Sequence, residues 1–143
     1  MSMLIAAFMF IALLAVSVAH FLWSIGRTWP IRNEKLLAQT VVGTAGIESM
    51  PPRLASFAVA VVILAAGIAA LALADHDGGG QLLTVTGFGF GLLFLVRGVV
   101  GFTPWWAAHT PEPNFRLNDR RVYSPLCLLL GVGFVALAIM RLL

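Results

Sequence analysis

Charge is what this sequence has least of. Only 10% of its 143 residues are charged and 60% are hydrophobic, whereas an ordinary globular domain carries about 25% charged residues. So small a soluble domain would leave much of this apolar surface uncovered, and the bilayer is expected to supply the cover. Cysteine is nearly as scarce. With Cys127 alone, an intramolecular disulfide, a paired-thiol redox centre and a cysteine-built zinc site are excluded. One thiol set among leucines reads as a small hydrophobe. The net charge of +3 comes with no nucleic-acid motif, and the cations sit beside apolar stretches. Membrane lipids, through their anionic headgroups, are therefore the expected partners and nucleic acid is not.

What is present in quantity is apolar sequence in long runs. A helix needs roughly 20 apolar residues to cross the hydrocarbon core, and four segments meet that length: 4–25, 54–74, 82–103 and 123–143. The fold class expected is all-α, a four-helix transmembrane bundle forming one domain over 1–143. The first stretch resembles a secretory signal at Ser17-Val18-Ala19, but it lacks a positive n-region and its apolar run is too long. It is read as a retained helix.

Breakers bound the spans: Gly26 and Pro30 after the first, Pro51 and Pro52 before the second, and the 75–80 segment between the second and third. Pro125 suits the first turn of the fourth. The short 75–80 link predicts that the second and third helices form a tight antiparallel pair. In the first long connection Asn33 is a candidate N-cap for a short helix through Val42, ended by Gly43. Its Leu36, Leu37, Val41 and Val42 would share a face, as in an interfacial helix.

Lys and Arg collect on one side. The two long connections hold Arg27, Arg32, Lys35, Arg53, Arg116, Arg120 and Arg121, and the opposite side holds only Arg141. Positive charge is retained on the cytoplasmic side, so both connections are expected there, with both termini and the 75–80 link outside. Trp23, Trp29, Trp105, Trp106 and Tyr123 fall at the same basic boundary, as an aromatic belt or as a shared aromatic pocket. The segments 21–30 and 102–106 both end a span with aromatics and proline, and each precedes a polar connection and a proline-started helix. A duplicated two-helix unit would produce this pattern.

Arg97 lies inside the third span, where a guanidinium costs roughly 2.5 kcal/mol or more at the bilayer centre and needs either a partner or a route to the headgroups. His20 lies at comparable depth on the first span. Ser17, His20, Ser24 and Arg27 follow helical spacing, and Thr86 shares a face with Arg97, so the two stripes are expected to line one polar crevice. No Asp or Glu falls within the spans. Counter-charge for Arg97 must come from Asp119 or Glu48, and Asp119 is preferred on depth. A structural salt bridge and a ligand site both fit such a pair. The candidate inner crevice comprises His20, Trp23, Trp29, Arg97, Asp119 and Tyr123.

Haem ligation by two histidines of one chain is not expected, since His76 and His109 fall in connections on opposite sides; neither a metal nor any other cofactor is expected. Gly87-x-x-x-Gly91 reads as helix packing rather than phosphate binding. The small residues Ser124, Cys127 and Gly131, and Ala60, Gly67 and Ala74, support either a compact bundle or a homo-oligomer.

His20-x-x-Trp23, Gly26, Trp29-Pro30, Val41-Val42-Gly43, Met50-Pro51 and Tyr123-Ser124-Pro125-Leu126-Cys127 resemble the pattern of a bacterial membrane family, domain-of-unknown-function family 3995. The resemblance spans nearly the whole chain. It implies a small four-helix inner-membrane protein and adds no mechanism.

The leading functional expectation is a non-enzymatic bundle that binds a small apolar or amphipathic ligand, or stabilises a larger membrane complex, through its basic-side polar and aromatic cluster. One alternative is a membrane enzyme acting on a lipid-like substrate, with His20 as acid/base and Arg97 holding an anionic headgroup. The other is an oligomeric transporter subunit, which would lack the intramembrane carboxylate of a proton-coupled pump.

Overall fold

The computed structural model describes residues 1–143. Helices form wherever the apolar runs predict them: α1 (Ser2–Ser24), α3 (Arg53–Ala74), α4 (Gly80–Val100) and α7 (Ser124–Met140). All four are apolar around their whole circumference, as a lipid-facing helix must be. In α1 only 22% of the most apolar window is buried inside the protein, so its outward Phe8, Ile11 and Val18 need cover from outside. Four helices are long and apolar enough to cross a membrane.

Short helices fill both long connections. In the first, α2 (Glu34–Val41) starts at Asn33, whose side chain accepts from the Leu36 N–H at 3.0 Å, and Gly43 follows at φ +78°, so both helix signals act as expected. The buried face differs from the predicted one: α2 buries Leu37 and Ala38 and leaves Leu36 exposed. It packs on α6 (Pro113–Asn118), whose Phe115 ring fills the space beside Gly43 where a Cβ would stand.

The second connection holds more structure than the sequence suggests. Thr103 caps α5 (Pro104–His109), its Oγ1 accepting from Trp106 N–H at 3.3 Å. Then α6 runs into a π-helical turn (Asp119–Tyr123) and on into α7, making one continuous 28-residue helix from Pro113. α7 thus starts within one residue of Tyr123 with Pro125 in its first turn, but the chain reaches it already helical from Pro113. A proline inside a helix removes one N–H and crowds the carbonyl four residues back. The wide turn immediately before Pro125 is where such a helix accommodates it.

The tight pairs are α1 with α3 and α4 with α7, not α3 with α4. Small residues decide this. Gly67 admits Phe10 and Leu13, and Ser17 donates to Ala60 O at 2.7 Å, so α1 lies close on α3. Gly91 admits Val135, Gly98 admits Leu128 and Gly131 admits Leu95, so α4 and α7 approach closely. Gly87 completes the set by receiving Leu73 and Ala138. The small-residue stripes are thus used inside the bundle. The two pairs join around Phe134, fully buried and stacked on Phe90 and Phe94 at 5.4 and 5.8 Å.

A short link fixes α3 to α4 only at one end. They touch there, Leu73 against Gly87, and toward the basic end they leave an open groove of about 400 Å³. The helices run in the cyclic order α1, α3, α4, α7, which sets α1 and α4 at opposite corners.

Candidate functional site

Arg97 sits one turn before the end of α4, on the face turned toward α7 and the π-helical turn. Its Nη2 donates to Asp119 Oδ1 at 2.7 Å, and its Nη1 donates to Ser124 Oγ at 3.3 Å. Ser124 Oγ in turn donates to Asp119 Oδ1 at 3.1 Å, closing a triangle. The second carboxylate oxygen, Oδ2, accepts from Trp106 Nε1 at 3.0 Å. The indole face of the same Trp106 receives the guanidinium, with Cζ 4.8 Å from the ring centroid.

Each contact has a local cause. Gly101 leaves room for Ser124 Oγ, because a Cβ there would overlap it. The Thr103 cap turns the chain into α5 and brings Trp106 back over Arg97. Asp119 opens the π-helical turn, so its side chain points into the bundle while Tyr123, at the other end of the turn, donates to Thr40 O at 3.2 Å. A carboxylate only 2% exposed needs a counter-charge and hydrogen bonds to both oxygens. Asp119 has both.

The guanidinium is less enclosed, with 31% of the Arg97 side chain accessible. It forms the polar end of the α3–α4 groove, whose walls are otherwise apolar: Val59, Val62 and Ile63 on one side, Phe90, Leu93 and Phe94 on the other. Arg97 Nε makes no hydrogen bond within the protein, and no side-chain nitrogen in the molecule is both buried and unpartnered. Asp119 also lines a second, small hollow of about 10 Å³ together with Gly101, Trp106, Thr110, Arg116 and Arg120, room for about one water molecule.

The remaining residues of the predicted crevice lie elsewhere. His20 Nδ1 bonds Val16 O of its own helix at 2.9 Å, and its ring packs on Trp23 at 4.7 Å. Trp23 Nε1 donates to Trp29 O, and Trp29 itself is exposed. Thr86 donates to Leu82 O and Ser24 to Phe21 O, each within its own helix. Stripes of α1 and α4 cannot line one crevice from opposite corners, and no bond joins His20 to Arg97. The polar side chains of α1 are instead satisfied locally or, for Ser17, by α3. Glu48 pairs with Lys35 at 3.2 Å in an exposed bridge.

Trp106, Ser124 and Gly101 complete the Arg97 cluster without having been picked out for it in the sequence. Trp106 was visible only as one of several interfacial aromatics. Its signal was the Thr103-Pro104 pair, which caps a helix and fixes where the indole points. No curated protein and no solved structure matches this chain. A family model matches residues 13–134, and with so much of its length covered the chain belongs to the family described as Protein of unknown function (DUF3995).

Proposed function

We propose that this protein binds an amphiphilic molecule taken laterally from a bacterial inner membrane, with the apolar part in the α3–α4 groove and the polar head against Arg97. The supporting observation is that the groove, of about 400 Å³, is lined by apolar side chains except for that one guanidinium. Ligand sites combine apolar walls with a few placed polar groups in this way. The basic residues share the end of the bundle where Arg97 lies, so in the proposed topology that end is cytoplasmic and the head sits at the inner leaflet. Separation of His20 from Arg97 removes the geometric support for an enzyme using both. Use of the glycine faces within the bundle leaves a transporter subunit without an assembly surface in its favour.

The test is photo-crosslinking with a diazirine-bearing fatty ester in membranes, followed by peptide mapping. Labelling concentrated on Val59, Val62 and Leu93, and suppressed by Val62→Trp, supports the proposal. Equal labelling of the groove and of the outward face of α1 at Phe8 and Ile11, unchanged by that variant, overturns it.

A further inference from the structure

We infer that the head recognised by Arg97 is an uncharged hydrogen-bond acceptor, a ketone, quinone or ester carbonyl, rather than a phosphate or carboxylate. This rests on the groove binding an amphiphile at all. Four observations lead to it.

The charge of Arg97 is already neutralised. Asp119 stands 2.7 Å away and is 2% exposed, so an anion reaching the guanidinium would come close to a buried carboxylate with little water to screen the repulsion. Asp119 is also held in place: Ser124 and Trp106 occupy its oxygens from two further sides, and swinging it aside would break both bonds. A neutral acceptor meets no such repulsion.

A donor remains available. Two of the five N–H groups of an arginine are used by Asp119 and Ser124, and Nε donates to nothing within the protein. One carbonyl oxygen can accept from such a group without disturbing the ion pair.

No second cation serves the groove. Every other lining residue is apolar, while Arg116 and Arg120 line the small hollow that Asp119 also lines. Arg53, which begins α3, lays its guanidinium against Gly26 at the end of α1, where Nη2 would be 2.6 Å from an added Cβ. Phosphate recognition uses clustered or bidentate cationic donors, and the groove lining offers a single guanidinium that is already paired.

The experiment is competition against the diazirine fatty ester, using the full chain in mild detergent at neutral pH. Four competitors of equal chain length are compared: a long-chain methyl ketone, the alkyl phosphate, the fatty carboxylate and the plain alkane. The expected result is displacement by the ketone at a concentration at least about tenfold below that needed for the alkane or either anion. In Asp119→Asn, which uncovers the Arg97 charge, the order should shift toward the anions. Should that variant fail to fold, the wild-type series decides alone. Preference for alkyl phosphate or carboxylate, or equal displacement by all four, overturns the inference while leaving groove binding in place. Failure of every competitor to reduce groove labelling overturns the groove reading itself.

Discussion

Gly101 and Ser124 are in such close register that the hydroxyl of one occupies the position a Cβ would take on the other, with Arg97 Nη1 only 3.0 Å from that same position. The glycine makes space for the bond by which Ser124 holds Asp119. Gly101→Ala should force Ser124 off its rotamer, break that bond and lower stability by about 1–3 kcal/mol, the usual cost of overpacking. Adding Ser124→Ala should recover only part of the loss, since Ser124 Cβ remains 2.8 Å from the new methyl. Thermal unfolding in detergent of the two single variants and the double variant measures the coupling.

Arg97 and Asp119 are unequal partners. Removing Arg97 leaves a carboxylate that is 2% exposed without its counter-charge, so Arg97→Ala should destabilise by about 3–5 kcal/mol. Replacing both residues by leucine should cost less than Arg97→Ala alone, because no orphaned charge remains and apolar replacement of a buried pair is often tolerated. A double variant less stable than Arg97→Ala would show that the pair contributes more than mutual neutralisation.

The four spans, the Asn33 cap and the Gly43 stop were legible because each rests on a short-range signal: run length, a capping side chain, a positive φ. The choice of Asp119 for Arg97 was legible from depth alone, since no carboxylate lies within the spans. Where α1 stands relative to α4 was not. Depth places His20 level with Arg97, but neighbours are chosen by which helix faces carry glycine and alanine, and those faces pair α1 with α3 and α4 with α7. The groove was hidden for the same reason, being the place where α4 turns the bulky Phe90, Leu93 and Phe94 toward α3 while its Gly91 and Gly98 face α7. Each tight pair is two long helices joined by a partly helical connection, with α2 in the first and both α5 and α6 in the second.

Gly131 of α7 and Gly89 of α4 make a controlled comparison. Gly131 faces Leu95 so closely that an added Cβ would lie 2.8 Å from a backbone nitrogen, which cannot rotate away, whereas Gly89 meets nothing within 4 Å. Gly131→Ala should force α4 and α7 apart and lower the unfolding temperature, at about 1–3 kcal/mol. Gly89→Ala should leave stability unchanged or raise it by up to about 1 kcal/mol through helix propensity. Equal effects in parallel thermal scans would contradict the assigned packing.

Arg141, the lone arginine or lysine at the far end of the bundle, ties that end together. Its Nη1 donates to Asp75 O and, at 3.5 Å, to Ala72 O; its Nη2 donates to Gly78 O, and its Nε to Thr84 Oγ1 at 3.4 Å. One side chain just past the end of α7 thus donates to carbonyls of α3 and the link, and reaches Thr84 near the start of α4. A cation is also favoured beside a helix C-terminus. Arg141→Ala should lower stability by about 1–3 kcal/mol, from lost charge-assisted hydrogen bonds, and its largest effect should be local. Amide exchange in residues 75–84 should accelerate, and a protease added to the detergent-solubilised protein should cut the 75–80 link faster. Arg141→Lys should restore only part of the protection, because an ammonium keeps the charge but lacks the planar fork that reaches several carbonyls at once. Unchanged exchange in the link of Arg141→Ala would mean that the two left-handed glycines there, Gly79 and Gly80, hold its shape without the arginine.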